Sequence, residues 1–369
     1  MYNKFSKNHI KVDFNRSHGN WVYDLNTEEL YLDLHNSYSS MPLGYCKLES
    51  SDILMKNLSI CEYSSLLHDE LFKDFEQKML TDKYDSYHLA PSGGIAVEMA
   101  LKVALQSTGR ELFLTLHGSF HGVTGMSAMV TSSHFGKRVQ YADRTKTVEI
   151  PVNIPKQLMK DRLYEDIPYA ACIVVEPIQC SYGDRYLDWE FLKTLREYAK
   201  ELQIPFIVDE IQTGFYATGK KFYTEELEPD IIIFGKKTQM NGILVHKDLS
   251  PTLHEIYDLI SITHDADLAD LARFKIVSDF IEQNEIEDFS KRFCNIKCNK
   301  FKDVRGVGHL WAIEFHTEKA CTEFCEFLFK NAIIVNRTGN KVVRMRPSFV
   351  FKEEDMRYLK NVIKDYNNS

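Results

Sequence analysis

Residues 204–241 read IPFIVDEIQTGFYATGKKFYTEELEPDIIIFGKKTQMN, and two short apolar runs within them decide the fold. The first, Ile204 to Val208, ends in Asp209-Glu210; the second, Ile231 to Phe234, ends in Gly235-Lys236-Lys237. Each is short, rich in β-branched residues and closed by charge. Buried strands of a parallel sheet read this way, with functional groups at their C-terminal edge. Two strands therefore bring a carboxylate and an amine to one edge of one sheet.

A carboxylate and a lysine so placed suit pyridoxal phosphate. The lysine forms a Schiff base with the aldehyde, while the carboxylate keeps the pyridine nitrogen protonated so that the ring accepts electrons. The same pattern also fits a solvated or salt-bridged pair at a strand end.

The rest of the chain bounds the answer. Its 369 residues are enough for a large core and two subdomains. Apolar content of 44% and charged content of 27% are those of an ordinary globular protein. A net charge of −8, with acids and bases interspersed, argues against a nucleic-acid surface. No stretch approaches the ~20 apolar residues of a membrane span. The opening MYNKFSKNHIKVDF shows no apolar signal core, so a cytoplasmic location is expected.

Eight cysteines stand at 46, 61, 172, 180, 294, 298, 321 and 325. Cys294, Cys298, Cys321 and Cys325 could be drawn as a four-thiolate zinc site. Such sites pair cysteines through tight turns, however, whereas the second pair sits in a continuous helical pattern. Reduced, half-buried thiols are the better account, and no metal is expected.

Residues 1–45 read as an arm and a hairpin (NWVYD, then LYLD). Residues 46–255 hold alternating strands and helices, a doubly wound, mostly parallel α/β domain. Its marks are a PSGG turn opening a helix near Ile95, strands at 112–116 and 171–175, and a helix at 189–201. The glycines of PSGG leave backbone N–H groups that could face an anion, or form an ordinary loop. Residues 256–369 read as a smaller α+β domain.

Taken in order, the motifs VDFNRSHGNWVYD, SGGIAVEMALK, FHG, VVEPIQ, VDEIQTG, PDIIIFGKKTQ, RGVGHLWAIEF and VVRMRPSF identify a resemblance. The chain resembles the class III (ω-) aminotransferases of PLP fold type I, and within them the lysine 6-aminotransferase branch. The resemblance spans nearly the whole chain and implies that 1–45 joins the C-terminal part in one small domain. It implies Lys236 as the Schiff-base lysine, a choice over Lys237 that strand alternation cannot make. It implies Asp209 at the pyridine nitrogen, Gln212 at the ring oxygen, Phe120 stacked on the ring and Gly93 and Gly94 at the phosphate. Glu176 would shape the site. Thr263 would reach the phosphate of a neighbouring subunit, making a homodimer with shared sites. Arg344 would grip a substrate carboxylate, while Arg346 reads as a surface or packing residue.

The sequence departs from the branch at three places. Val123 stands where an arginine reads the donor's α-carboxylate, and Ser181 where a glutamate covers the gripping arginine. Asp265 and Ala266 replace glycines after the phosphate threonine. The expected activity is transfer of an amino group, from the terminal amine of a lysine-like donor, to an oxo acid such as 2-oxoglutarate in ping-pong half-reactions. The alternatives are another PLP outcome (aminomutase, racemase or decarboxylase) or a non-catalytic scaffold of the same fold.

Overall fold

The computed structural model describes residues 10–46, 65–132, 145–155, 158, 169–265 and 267–368. Two units are present. The larger comprises Ser51–Tyr216 and Lys220–Phe280, and the smaller comprises Met1–Ser50, Ala217–Gly219 and Ile281–Ser369.

The larger unit is built on a seven-stranded sheet. Its strand order is Tyr84–Ala90, Asn241–His246, Ile231–Phe234, Phe206–Asp209, Ala170–Val175, Leu112–Leu116 and Thr147–Ile150. Strand Ala170–Val175 is buried at every residue, as a strand covered on both faces must be. One face packs Ile207, Ile231, Ile233 and Ile243 against Ala96, Val97, Ala100, Leu101 and Ala104 of helix Gly93–Thr108. The other packs Leu114, Ile173, Phe206 and Val208 against Phe191, Leu192, Leu195 and Tyr198 of helix Trp189–Leu202. The alternation of Phe206, Ile207 and Val208 between these faces is the two-residue period of a strand. Asp188 caps the second helix by accepting from the N–H groups of Glu190 and Phe191.

One strand runs against the others. Asn241–His246 is antiparallel to both of its neighbours, Ile231–Phe234 and Tyr84–Ala90. A tight turn after Lys236 reverses the chain here, where the parallel strands instead return through helices.

The smaller unit holds a four-stranded sheet ordered Val12–His18, Trp21–Asp24, Glu29–Asp33 and Ile333–Ile334. The parallel pairing of the last two joins the chain's beginning to its end. A second, antiparallel sheet runs Phe301–Val307, Leu310–Phe315, Val342–Met345, Asn336–Thr338. Trp311, Ile313 and Phe315 pack there with Phe324 and Leu328 of helix Glu318–Lys330.

A division near 255 was expected, yet the chain stays with the larger unit to Phe280. Two contacts account for this. Phe274 packs edge-on against Phe75, with ring centroids 5.1 Å apart, and Lys78 is paired with Asp279.

Among the described residues no group of three or more His, Cys, Asp or Glu could hold a metal, and no helix is long and apolar enough to cross a membrane. The described cysteines are free thiols; Cys61 lies outside the described residues.

Candidate active site

Strands Phe206–Asp209 and Ile231–Phe234 are parallel neighbours in register, Asp209 beside Ile233. Their C-terminal ends therefore deliver Asp209 and Lys236 to one edge of the sheet. Both line a cavity of about 220 Å³, together with Gly93, Gly94, Phe120, Glu176 and Gln212. Lys237, by contrast, is fully buried and is not among the residues lining that cavity. The turn makes the difference. Lys236 begins a short 3₁₀ segment with φ of 52°, a left-handed backbone that a lysine adopts only under constraint. The constraint is visible: the carbonyl of Lys236 accepts both the backbone N–H of Gln239 (3.0 Å) and its side-chain Nε2 (2.9 Å).

At one end of the cavity, Gly93 and Gly94 are the first residues of helix Gly93–Thr108, capped by Ser92. Their N–H groups lie in the helix's first turn, where no intrahelical partner exists and the dipole favours an anion. Gly122 passes close by. Its φ of 140° and a position where a Cβ would lie 2.4 Å from Ser127 Oγ admit only glycine.

At the other end, the Asp209 Oδ2 is 2.9 Å from Nδ1 of His121, which is buried and lines the cavity too. Asp209 Oδ1 accepts the N–H of Ile211 at 3.1 Å. The histidine orients the carboxylate, much as an outer partner orients a ligand. It was not anticipated, although it follows Phe120 directly in the FHG motif. The Phe120 N–H donates to Glu176 Oε2 at 2.7 Å, which fixes the turn carrying the aromatic ring.

Burial pushes the Glu176 carboxyl well above the usual carboxylate range; nearby Asp209 adds to this, while the Phe120 N–H and Lys236 oppose it. A raised folded-state value means that the folded protein holds this proton more tightly than the unfolded chain does. The associated stability is full below the ordinary glutamate value and declines as pH rises towards the raised one. Glu176→Gln should therefore melt at a higher temperature than the parent at neutral pH, with the gap closing below about pH 4. A gap of constant size across acid and neutral melts would contradict the assignment.

The other expected residues lie elsewhere. Val123 is 45% exposed and Ser181 is buried, and neither is among the residues lining the cavity. Thr263 is exposed on the turn after helix Tyr257–Ile260 and also does not line it. Asp265 is accommodated by folding into that turn. Its Oδ2 accepts the Ile262 N–H (2.6 Å) and the Ser261 hydroxyl (2.9 Å), and lies 3.7 Å from His88 Nε2. Ala266 lies outside the described residues. Arg344 belongs to the smaller unit, on strand Val342–Met345, with its guanidinium 5.0 Å from the Tyr38 ring centroid. Arg346 is buried in the same unit and donates to the carbonyl of Trp311 at 3.3 Å, a packing role rather than a surface one.

Comparison with known proteins bears on this arrangement. The family model for aminotransferase class-III matches residues 2–366. An acetylornithine aminotransferase from Archaeoglobus fulgidus is 30% identical, covering 94% of this chain and 93% of its own. An L-lysine-epsilon aminotransferase from Streptomyces clavuligerus is 24% identical, over 94% and 88% respectively. Among solved structures, a lysine aminotransferase from M. tuberculosis superposes with a TM-score of 0.80 at 22% identity, covering 96% of this chain and 94% of that one.

Proposed function

Since the chain belongs to the class III aminotransferase family, we propose that it moves a terminal amine from a lysine-like donor to an oxo acid such as 2-oxoglutarate, using pyridoxal phosphate. The observation that carries this reading is one cavity holding Lys236, Asp209 and the N-terminus of helix Gly93–Thr108. The residues fit the cofactor at both ends: unpaired helix N–H groups suit a phosphate, and a histidine-oriented carboxylate suits a pyridinium nitrogen. Bound there, the cofactor supplies an electron sink for breaking a bond at the amine-bearing carbon.

This chain's residues do the rest. Lys236 would hold the cofactor covalently, and its Nζ would serve as the proton carrier. Asp209 holds positive charge at the ring nitrogen, and His121 keeps that carboxylate in line. Phe120 offers a flat apolar face and Gln212 a hydrogen bond at the ring's edge. Glu176 shapes the wall and anchors the Phe120 turn. Arg344 takes a carboxylate of the donor or the oxo acid through its planar fork, and the family resemblance assigns Val123 and Ser181 to the substrate side.

The reading includes a homodimer in which Thr263 of one copy completes the phosphate site of the other, as the family match of Thr263 and its distance in sequence from the other cofactor residues suggest. A protein that stays monomeric while loaded and active would overturn this part. A cytoplasmic location suits the buried free thiols of Cys172, Cys180 and Cys321. The function itself is tested by incubating the purified protein with ω-amine donors and 2-oxoglutarate and following glutamate. Absence of transfer with every donor, in protein that carries the cofactor, would refute it.

A further inference from the structure

Asn241 has no part in the roles above. It opens strand Asn241–His246 and lines the same cavity as Lys236. Among the described residues no hydrogen bond engages its side-chain amide. The residue is half-buried, so its amide faces the cavity and can meet a bound group there.

Its place along the cavity follows from its neighbours. A Cβ on Gly93 would lie 2.8 Å from Ile211 Cδ1, and a Cβ on Gly235 would lie 3.2 Å from Ile211 Cγ2 and 2.5 Å from Asn241 Oδ1. A single isoleucine side chain thus reaches from the first residue of the helix to the glycine that abuts the amide. Strand register agrees, because Asn241 pairs with Ala90, just before the Pro91-Ser92-Gly93 turn. Both observations put the amide near the start of helix Gly93–Thr108.

Gly235 supports this independently. Its φ of 175° is extended backbone open to any residue, so conformation does not demand glycine there. Space favours it: a Cβ there would lie 2.5 Å from Asn241 Oδ1, so the amide would have to shift. The glycine before Lys236 keeps room for that group.

We propose that the Asn241 side-chain amide donates a hydrogen bond to the phosphate of pyridoxal phosphate, beside the N–H groups of Gly93 and Gly94. The proposal rests on the cofactor reading above. An amide can present its NH₂ to an anion by rotation about its last bond, and such a charge-assisted bond is among the stronger ones.

The test compares a phosphorylated ligand with its dephosphorylated twin. Full-length protein stripped of cofactor is titrated with pyridoxal phosphate and with pyridoxal, for the parent and for Asn241→Ala, Asn241→Asp and Asn241→Ser. For Asn241→Ala the affinity for pyridoxal phosphate should fall roughly tenfold, while that for pyridoxal stays within about twofold. Asn241→Asp, nearly isosteric but anionic, should lose more, again for the phosphate ester alone. Asn241→Ser keeps a donor and the fold if the alanine variant does not fold, and should fall between parent and Asn241→Asp. Equal losses for both ligands, or no loss in Asn241→Asp, would overturn the proposal while leaving the cofactor reading standing. If the parent binds neither ligand, the cofactor reading fails and this inference with it.

Discussion

Lys236→Ala is expected to lose turnover by at least roughly 10²- to 10⁴-fold, the share that a positioned proton carrier alone supplies. The covalent attachment should be lost with it. Borohydride treatment of the parent should fix the cofactor to Lys236, and the alanine variant should take no label. Lys237→Met is the matched control, since Lys237 is fully buried and lines no part of the cavity, whereas Lys236 is held into its place by a strained backbone and two bonds from Gln239. Strain of this kind costs about 1–3 kcal/mol and persists where surrounding structure enforces it, commonly at active sites. Peptide mapping that finds the label on Lys237 would reverse the assignment. Labelling of neither lysine would remove the covalent role altogether.

The distinction between these two lysines shows where reading a sequence stops. The runs IPFIV and DIIIF announce buried strands because β-branched residues closed by charge have few other uses, and the sheet contains both. Adjacent lysines after such a run are equivalent to any rule of alternation; a 3₁₀ turn separates them, and that turn depends on Gln239 and on the reversal of the chain into Asn241–His246. The reversal was illegible for a related reason. GILVH is a short apolar run like the others, and only its pairing with Tyr84–Ala90, distant in the chain, reveals its direction. His121 and Asp209 meet across 88 residues, so no local pattern could couple them. Asp265 is the converse case. The sequence places a charge where the resemblance implies glycine, and the turn's own N–H and hydroxyl groups bond one of its two carboxylate oxygens, Oδ2. Positions along strands were therefore legible. Directions, turns and the pairing of distant polar groups were not.

Free lysine is expected to be a poor donor, by roughly ten- to a hundredfold in kcat/KM, relative to a lysine-like amine whose far end is uncharged or masked. The reasoning begins with length. When the terminal amine reacts, the α-carboxylate lies at the other end of the molecule and needs its own reader. In the branch that this chain resembles, an arginine after FHG is that reader, and here the residue is Val123. A valine cannot donate a hydrogen bond, and loss of a charge-assisted one costs about 1.5–3 kcal/mol, which sets the expected ratio. Val123 is 45% exposed, and at that place in the motif a valine presents methyl groups rather than a charge. Ser181 works in the same direction. Where the branch has a glutamate to cover the gripping arginine, a short, buried hydroxyl stands here and provides no charge. The measurement is kcat/KM for lysine, for lysine masked at its carboxylate and for a simple diamine, with Val123→Arg assayed alongside. That variant should raise activity on free lysine and leave the diamine unaided. If free lysine already exceeds the masked donor by about tenfold in the parent, another group reads its carboxylate and the specificity assigned to Val123 is wrong.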